Sequence, residues 1–217
     1  MKLILAGQKS FGAATLSMLI EEGHEVLQVF APAGDRLADA AWAAGIPHRT
    51  EISAATVAEG ADLIVCAHAH VFVSEKARDR TRLGAIGYHP SLLPRHRGRD
   101  AVRWTIHMGD KMAGGTVYWL TNKVDAGPMA AQQWCWVRPG DDASSLWSRE
   151  LFPIGIKLLR RVLWDLSEGR VVKAPQNEAN ATWEPSWDRP PIGRPDLPRL
   201  PAPGAPRERI ETSLNGD

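Results

Sequence analysis

Residues 2–30, KLILAGQKSFGAATLSMLIEEGHEVLQVF, decide the fold. Lys2 to Ala6 is a short apolar run closed by Gly7 and reads as a buried strand. Ser10 to Glu22 reads as a helix: Phe11, Ala14, Leu16, Leu19 and Ile20 fall roughly on one face, and Gly23 stops it. Glu25 to Phe30 is a second strand. A strand, a helix and a strand in this compass imply a right-handed crossover and a parallel pair.

The same rhythm continues outward. Arg36 to Ala44 reads as a helix closed by Gly45, and Leu63 to Cys66 and Ala85 to Tyr88 read as further strands. Residues 1–110 thus predict an α/β, Rossmann-like, mostly parallel sheet. Beyond them, Gly115 to Leu120 and Met129 to Val137 are strand-like and joined by TNKVDAGP, which predicts an antiparallel extension. Ala143 to Gly169 reads as mostly helical, capped by Asp142 or Ser144 and broken or kinked at Pro153. Nine of the 16 prolines lie between Pro175 and Pro206. The domain division expected is a catalytic domain over 1–188 and a Pro-rich extended or disordered tail over 189–217.

Composition excludes several classes. At 217 residues and 44% hydrophobic content the chain has material for a core. Its net charge of +1 gives no polyanion signal, so neither nucleic acid nor a membrane is an expected partner. No apolar run reaches spanning length. Cys66 and Cys135 sit in apolar runs and read as buried thiols in a reducing, cytoplasmic setting. The nine tryptophans read chiefly as core and interface packing.

Gly7 to Gly12 follows a strand and opens a helix, but it matches neither GxGxxG nor GxxxxGK[ST]. No nucleotide cofactor is assigned. His68 and His70 are spaced i,i+2 in an extended segment and so point to opposite faces; no metal is assigned. Arg95, Arg97, Arg99 and Arg103, with His96, make a local basic cluster, read as a solvated helix entrance or a patch for an acidic substrate. His89 stands out. It follows an apolar strand, at the carboxyl end where open α/β sheets bind ligands, and Pro90 and Pro94 stiffen the loop after it. That placement suits general acid–base work, alongside a plain strand-capping role. Asp125, in the turn VDAGP, is a carboxylate that would raise the imidazole pKa and fix its tautomer if folding brought the two together.

The runs YHPSLLPRHRG (Tyr88–Gly98), HMGDKMAGG (His107–Gly115) and VDAGP, with GQKSFG near the start and LFPIGIK later, resemble the folate-dependent formyltransferase family. The likeness covers about residues 1–185 and is closest to the N-terminal hydrolase domain of 10-formyltetrahydrofolate dehydrogenase. It implies His89 and Asp125 as catalytic residues. It implies a folate-binding loop at Val71, Phe72 and Val73, with the pterin between that loop and the Asp125 loop. Tetrahydrofolate and its 10-formyl derivative would be product and substrate. The family's transferases carry an asparagine two residues before the histidine; here that position is Gly87. The stretch between the second strand and Cys66 is shorter than in the dehydrogenase domain. The chain also lacks room for the dehydrogenase's further domains or a tRNA-binding barrel, so neither oxidation by NADP nor tRNA recognition is expected.

A formyl group under attack builds an oxyanion that a donor must meet. Gly87 offers no side chain, so protonated His89 is expected to donate, with water entering the space beside the glycine. The first reading is hydrolysis of 10-formyltetrahydrofolate. Transfer to a small amine such as an amino sugar nucleotide, its phosphates held by Arg95 and Arg97, is the alternative, and a non-catalytic folate-binding protein is a third. The sequence leaves the oligomeric state open, a homodimer being one option.

Overall fold

A computed structural model of the chain describes residues 1–69 and 71–187. The tail expected over 189–217, and His70, lie outside the described residues. One seven-stranded sheet organises the rest, in the order β3-β2-β1-β4-β5-β6-β7. The strands are β1 (Lys2–Gly7), β2 (Glu25–Phe30), β3 (His48–Arg49), β4 (Leu63–Ala67), β5 (Ala85–His89), β6 (Met112–Trp119) and β7 (Met129–Trp136). β1 to β5 run parallel; β6 and β7 are added antiparallel. The helices are α1 (Lys9–Glu21), α2 (Arg36–Ala43), α3 (Glu75–Arg78), α4 (Ala101–His107), α5 (Ala143–Leu146) and α6 (Phe152–Ser167).

The near-continuous apolar runs of β1 and β4 follow from burial on both faces. Leu3, Leu5, Val65 and Ala67 pack with α1, α2 and α6, while Ile4, Ala6, Ile64 and Cys66 pack with Val57, Val73 and Ala77. β5 splits in the same way. Ile86 and Tyr88 join the first cluster, and Tyr88 donates from its hydroxyl to the Leu151 carbonyl at 2.6 Å. Gly87 and His89 therefore face the other side, by strand alternation. The chain leaves β1 toward β2 and β3, then returns to β4 on its other flank. That makes the carboxyl ends of β1 and β4 a switch point where ligands bind in such sheets.

Two expectations need correction. Pro153 does not break the last helical stretch. A π-helical turn over Trp147–Leu151 precedes it, and Pro153 then sits in the first turn of α6, where no N–H is needed. Asp142 is the cap, in a capping box with Ser145. β6 begins at Met112 rather than Gly115, because Gly114 and Gly115 are strand glycines demanded by close neighbours. A Cβ would meet the Gln133 carbonyl at 2.4 Å in one case and the Tyr88 hydroxyl at 2.2 Å in the other.

Candidate active site

His89 ends β5 and is buried. It pairs across to Thr116 of β6, and Gly87 pairs to Tyr118. The loop after it is pinned to the antiparallel strands. Thr116 donates from its hydroxyl to the Ser91 carbonyl at 2.7 Å and accepts from the Leu93 amide at 3.2 Å, while Gln132 donates to the Leu93 carbonyl at 3.0 Å. Further along, the His96 carbonyl accepts from Nε2 of His89 at 2.7 Å. That bond sets the tautomer, a task the sequence assigned to Asp125.

Asp125 reaches the same place from the β6–β7 turn. Its backbone is left-handed, with φ at 50°, a conformation that aspartate tolerates better than most residues. Oδ2 lies 3.6 Å from Nδ1 of His89 and accepts from the Gly98 amide at 2.8 Å. Oδ1 accepts from the Tyr118 hydroxyl at 2.6 Å. Gly98 itself has φ at 110°, which a residue with a Cβ rarely adopts. Gly127 is held for another reason: a Cβ there would lie 1.7 Å from the Trp119 carbonyl oxygen. Burial, and then the charge of Asp125, push the Tyr118 phenol well above its usual range, so it remains a donor.

Residues 174–187 close the arrangement from behind. Their backbone pairs with the 94–97 loop through Thr182 to Pro94, Arg97 to Thr182 and Glu184 to Arg97 bonds. Gln176 donates to the carbonyls of Asp125 and Gly127 at 2.8 and 2.7 Å. His96 is buried between Asp110 at 2.8 Å and Glu184 at 2.9 Å. Burial opposes its charge, but the hydrogen bonds and charges of those two carboxylates outweigh burial and raise its pKa. Tyr118, His96 and Gln176 were not singled out as site residues in the sequence.

The remaining expected residues scatter. Val73 is in the core and its carbonyl accepts from Arg78 at 2.6 Å; Val71 is half-buried; Phe72 is 61% exposed. Arg95 is half-exposed and paired with Asp110 at 3.2 Å. Arg97 is fully buried, with its guanidinium committed to Gln176 and Glu178, so it faces inward rather than toward a substrate phosphate. The space beside Gly87 is not open to water: a Cβ there would meet Leu120 Cδ1 at 3.0 Å, Tyr118 Cε1 at 3.4 Å and Cys66 Cβ at 3.5 Å. His68 lies against Trp147, and burial, then the charge of Lys9, lowers its pKa.

The family model described as formyl transferase matches residues 20–162. The chain belongs to this family. It is 38% identical over 219 residues to the mitochondrial 10-formyltetrahydrofolate dehydrogenase of Mus musculus, an alignment covering 89% of this chain and 24% of that protein. The chain thus spans about a quarter of that relative's length. Two solved structures share its formyl transferase fold. One is glycinamide ribonucleotide transformylase 1 from Symbiobacterium toebii, with a TM-score of 0.70 and 23% identity, covering 81% of this chain and 93% of that one. The other is an N-formyltransferase from Helicobacter canadensis, solved with folinic acid and dTDP-3-aminofucose. It has a TM-score of 0.71 and 16% identity, covering 84% of this chain and 70% of that one. In this formyl transferase chain, an imidazole and a carboxylate meet at one strand end, with bonds to the backbone holding both. That is equipment for moving protons at a polarised carbonyl.

Proposed function

We propose that the protein hydrolyses 10-formyltetrahydrofolate to tetrahydrofolate and formate. The observation that carries this reading is the His89–Asp125 pair at the end of β5, with Nδ1 and Oδ2 3.6 Å apart and facing one another. A water beside the pair touches both groups. Asp125 takes a proton as the water oxygen attacks the formyl carbon, and protonated His89 steadies the oxyanion that forms. Collapse breaks the bond from carbon to N10, and Asp125 returns its proton to N10. Formic acid leaves and loses its proton to solvent. The exposed Phe72 ring is the candidate contact for the pterin.

One feature favours a second reading, transfer to a small anionic amine. Arg95 lines an open groove of about 490 Å³ with Leu92, Pro94 and residues 179–182. The deciding experiment incubates purified protein with 10-formyltetrahydrofolate, with and without amino sugar nucleotides. Formate release without acceptor supports hydrolysis. Formylated amine without formate transfers the reading to the second, and tight folate binding with no product removes both.

A further inference from the structure

Tyr118 is a polar side chain of the crevice to which the proposed chemistry gives no task. It sits directly across from Gly87 in the β5–β6 ladder, on the face that carries His89. Its ring runs beside the glycine, close enough that a Cβ at Gly87 would touch Cε1 at 3.4 Å. Its hydroxyl reaches Oδ1 of Asp125 at 2.6 Å, a short bond from a neutral donor to a carboxylate.

We propose that Tyr118 is a positioning residue for Asp125. The two oxygens of Asp125 have separate partners. Oδ2 receives the Gly98 amide and faces His89; among the described residues Oδ1 receives the phenol alone. Around the group stand His89 from β5, Cys66 of β4 behind the tyrosine ring, and Gln176 on the Asp125 carbonyl. Among the described residues none of these bonds Oδ1. The phenol therefore sets the rotation of the carboxylate about its last bond and leaves Oδ2 as the oxygen that handles a proton. Without the hydroxyl, the carboxylate keeps the Gly98 amide on Oδ2 but loses its second anchor, and the water it aligns loses its line of attack.

The activity part of this inference rests on the hydrolase reading; the contact itself does not. Tyr118→Phe keeps the ring and removes the hydroxyl. It is expected to lower kcat for formate release roughly ten- to a hundredfold, with KM for 10-formyltetrahydrofolate unchanged. In ligand-free protein, proton NMR is expected to show a far-downfield, exchange-protected hydroxyl resonance that Tyr118→Phe removes and Asp125→Asn moves. An unchanged kcat in Tyr118→Phe, a loss expressed wholly in KM, or the absence of that resonance overturns the proposal. Wild-type protein that releases no formate removes the hydrolase reading alone, and the resonance, read without substrate, then decides the contact.

Discussion

Nε2 of His89 and the backbone oxygen of His96 lie 2.7 Å apart, and that bond assigns the imidazole's protons. A carbonyl only accepts, so Nε2 carries hydrogen. Nδ1, turned toward Oδ2 of Asp125, is the nitrogen left to gain and lose a proton. The loop from Ser91 to Gly98 is thus a second-hand part of the site: it holds the ring with one residue and the carboxylate with another, through Gly98.

His89→Ala and Asp125→Asn each remove one proton-handling group, the second with little change in bulk at the crevice. Formate release is expected to fall by roughly 10²–10⁴-fold in either variant. The double variant is expected to lose scarcely more, because the two groups act as a unit. Folate binding, followed by quenching of tryptophan fluorescence, should persist. Single variants that turn over at the wild-type rate would place the pair outside the chemistry.

His96 makes stability depend on pH. Its two carboxylate partners raise its pKa above the ordinary 6.5, despite burial. A group that binds its proton more tightly when folded contributes fully below its unfolded pKa, and that contribution is lost as pH rises through the folded value. Asp110, with its pKa lowered despite burial by His96 and Arg95, contributes instead above the ordinary 3.8 and fails only in acid. Thermal melts are expected to fall as pH is raised from 6.5, and His96→Gln should flatten that dependence. Removing the imidazole takes the charged partner from Glu184, which is 2% exposed and keeps the Thr182 hydroxyl, and should cost about 3–5 kcal/mol. A melting curve that is flat above pH 6.5 in the wild type removes the argument.

The frame of the fold was legible because its signals are local. β1, α1 and β2 announce themselves by apolar spacing and by glycine stops, each within a few residues. The end of β5 was legible for the same reason. What surrounds His89 was not, because it arrives from far along the chain. His96 meets Glu184 across 88 positions, and Arg97 meets Glu178 across 81. A run of arginines reads as a basic surface until a distant segment turns out to neutralise one of them. The space beside Gly87 was misjudged similarly: β6 supplies both Tyr118 and Leu120 to fill it.

Arg95 and Arg97 should separate in a simple pair of variants. Arg95 is half-exposed, and its ion pair with Asp110 is solvated, so Arg95→Ala should change stability by no more than about 1 kcal/mol. Any effect belongs in the KM of an anionic substrate and should weaken with salt. Arg97→Ala leaves Gln176 without the guanidinium that it shares with Glu178, and Gln176 holds the Asp125 turn. A loss of about 2 kcal/mol or more is expected, together with reduced turnover. Equal stabilities for the two variants, measured by denaturant unfolding, would contradict the inward role of Arg97.

Gly87→Asn tests what the glycine decides. The nearest atom to the added Cβ is Leu120 Cδ1 at 3.0 Å, the free end of a flexible side chain that can turn away. The next is the Tyr118 ring, at 3.4 Å, which has less freedom because its hydroxyl is bound to Asp125. The variant should fold, at a cost of about 1–3 kcal/mol for the crowding. Its amide would lie on the His89 side of the strand, where a donor meets an oxyanion. Pressure on Tyr118 should at the same time loosen Asp125 and slow attack by water. The expected result is less formate and, with an amine supplied, formylated amine that the wild type does not make. Formate release at the wild-type rate with no formylated amine would show that Gly87 has no part in choosing between water and an amine.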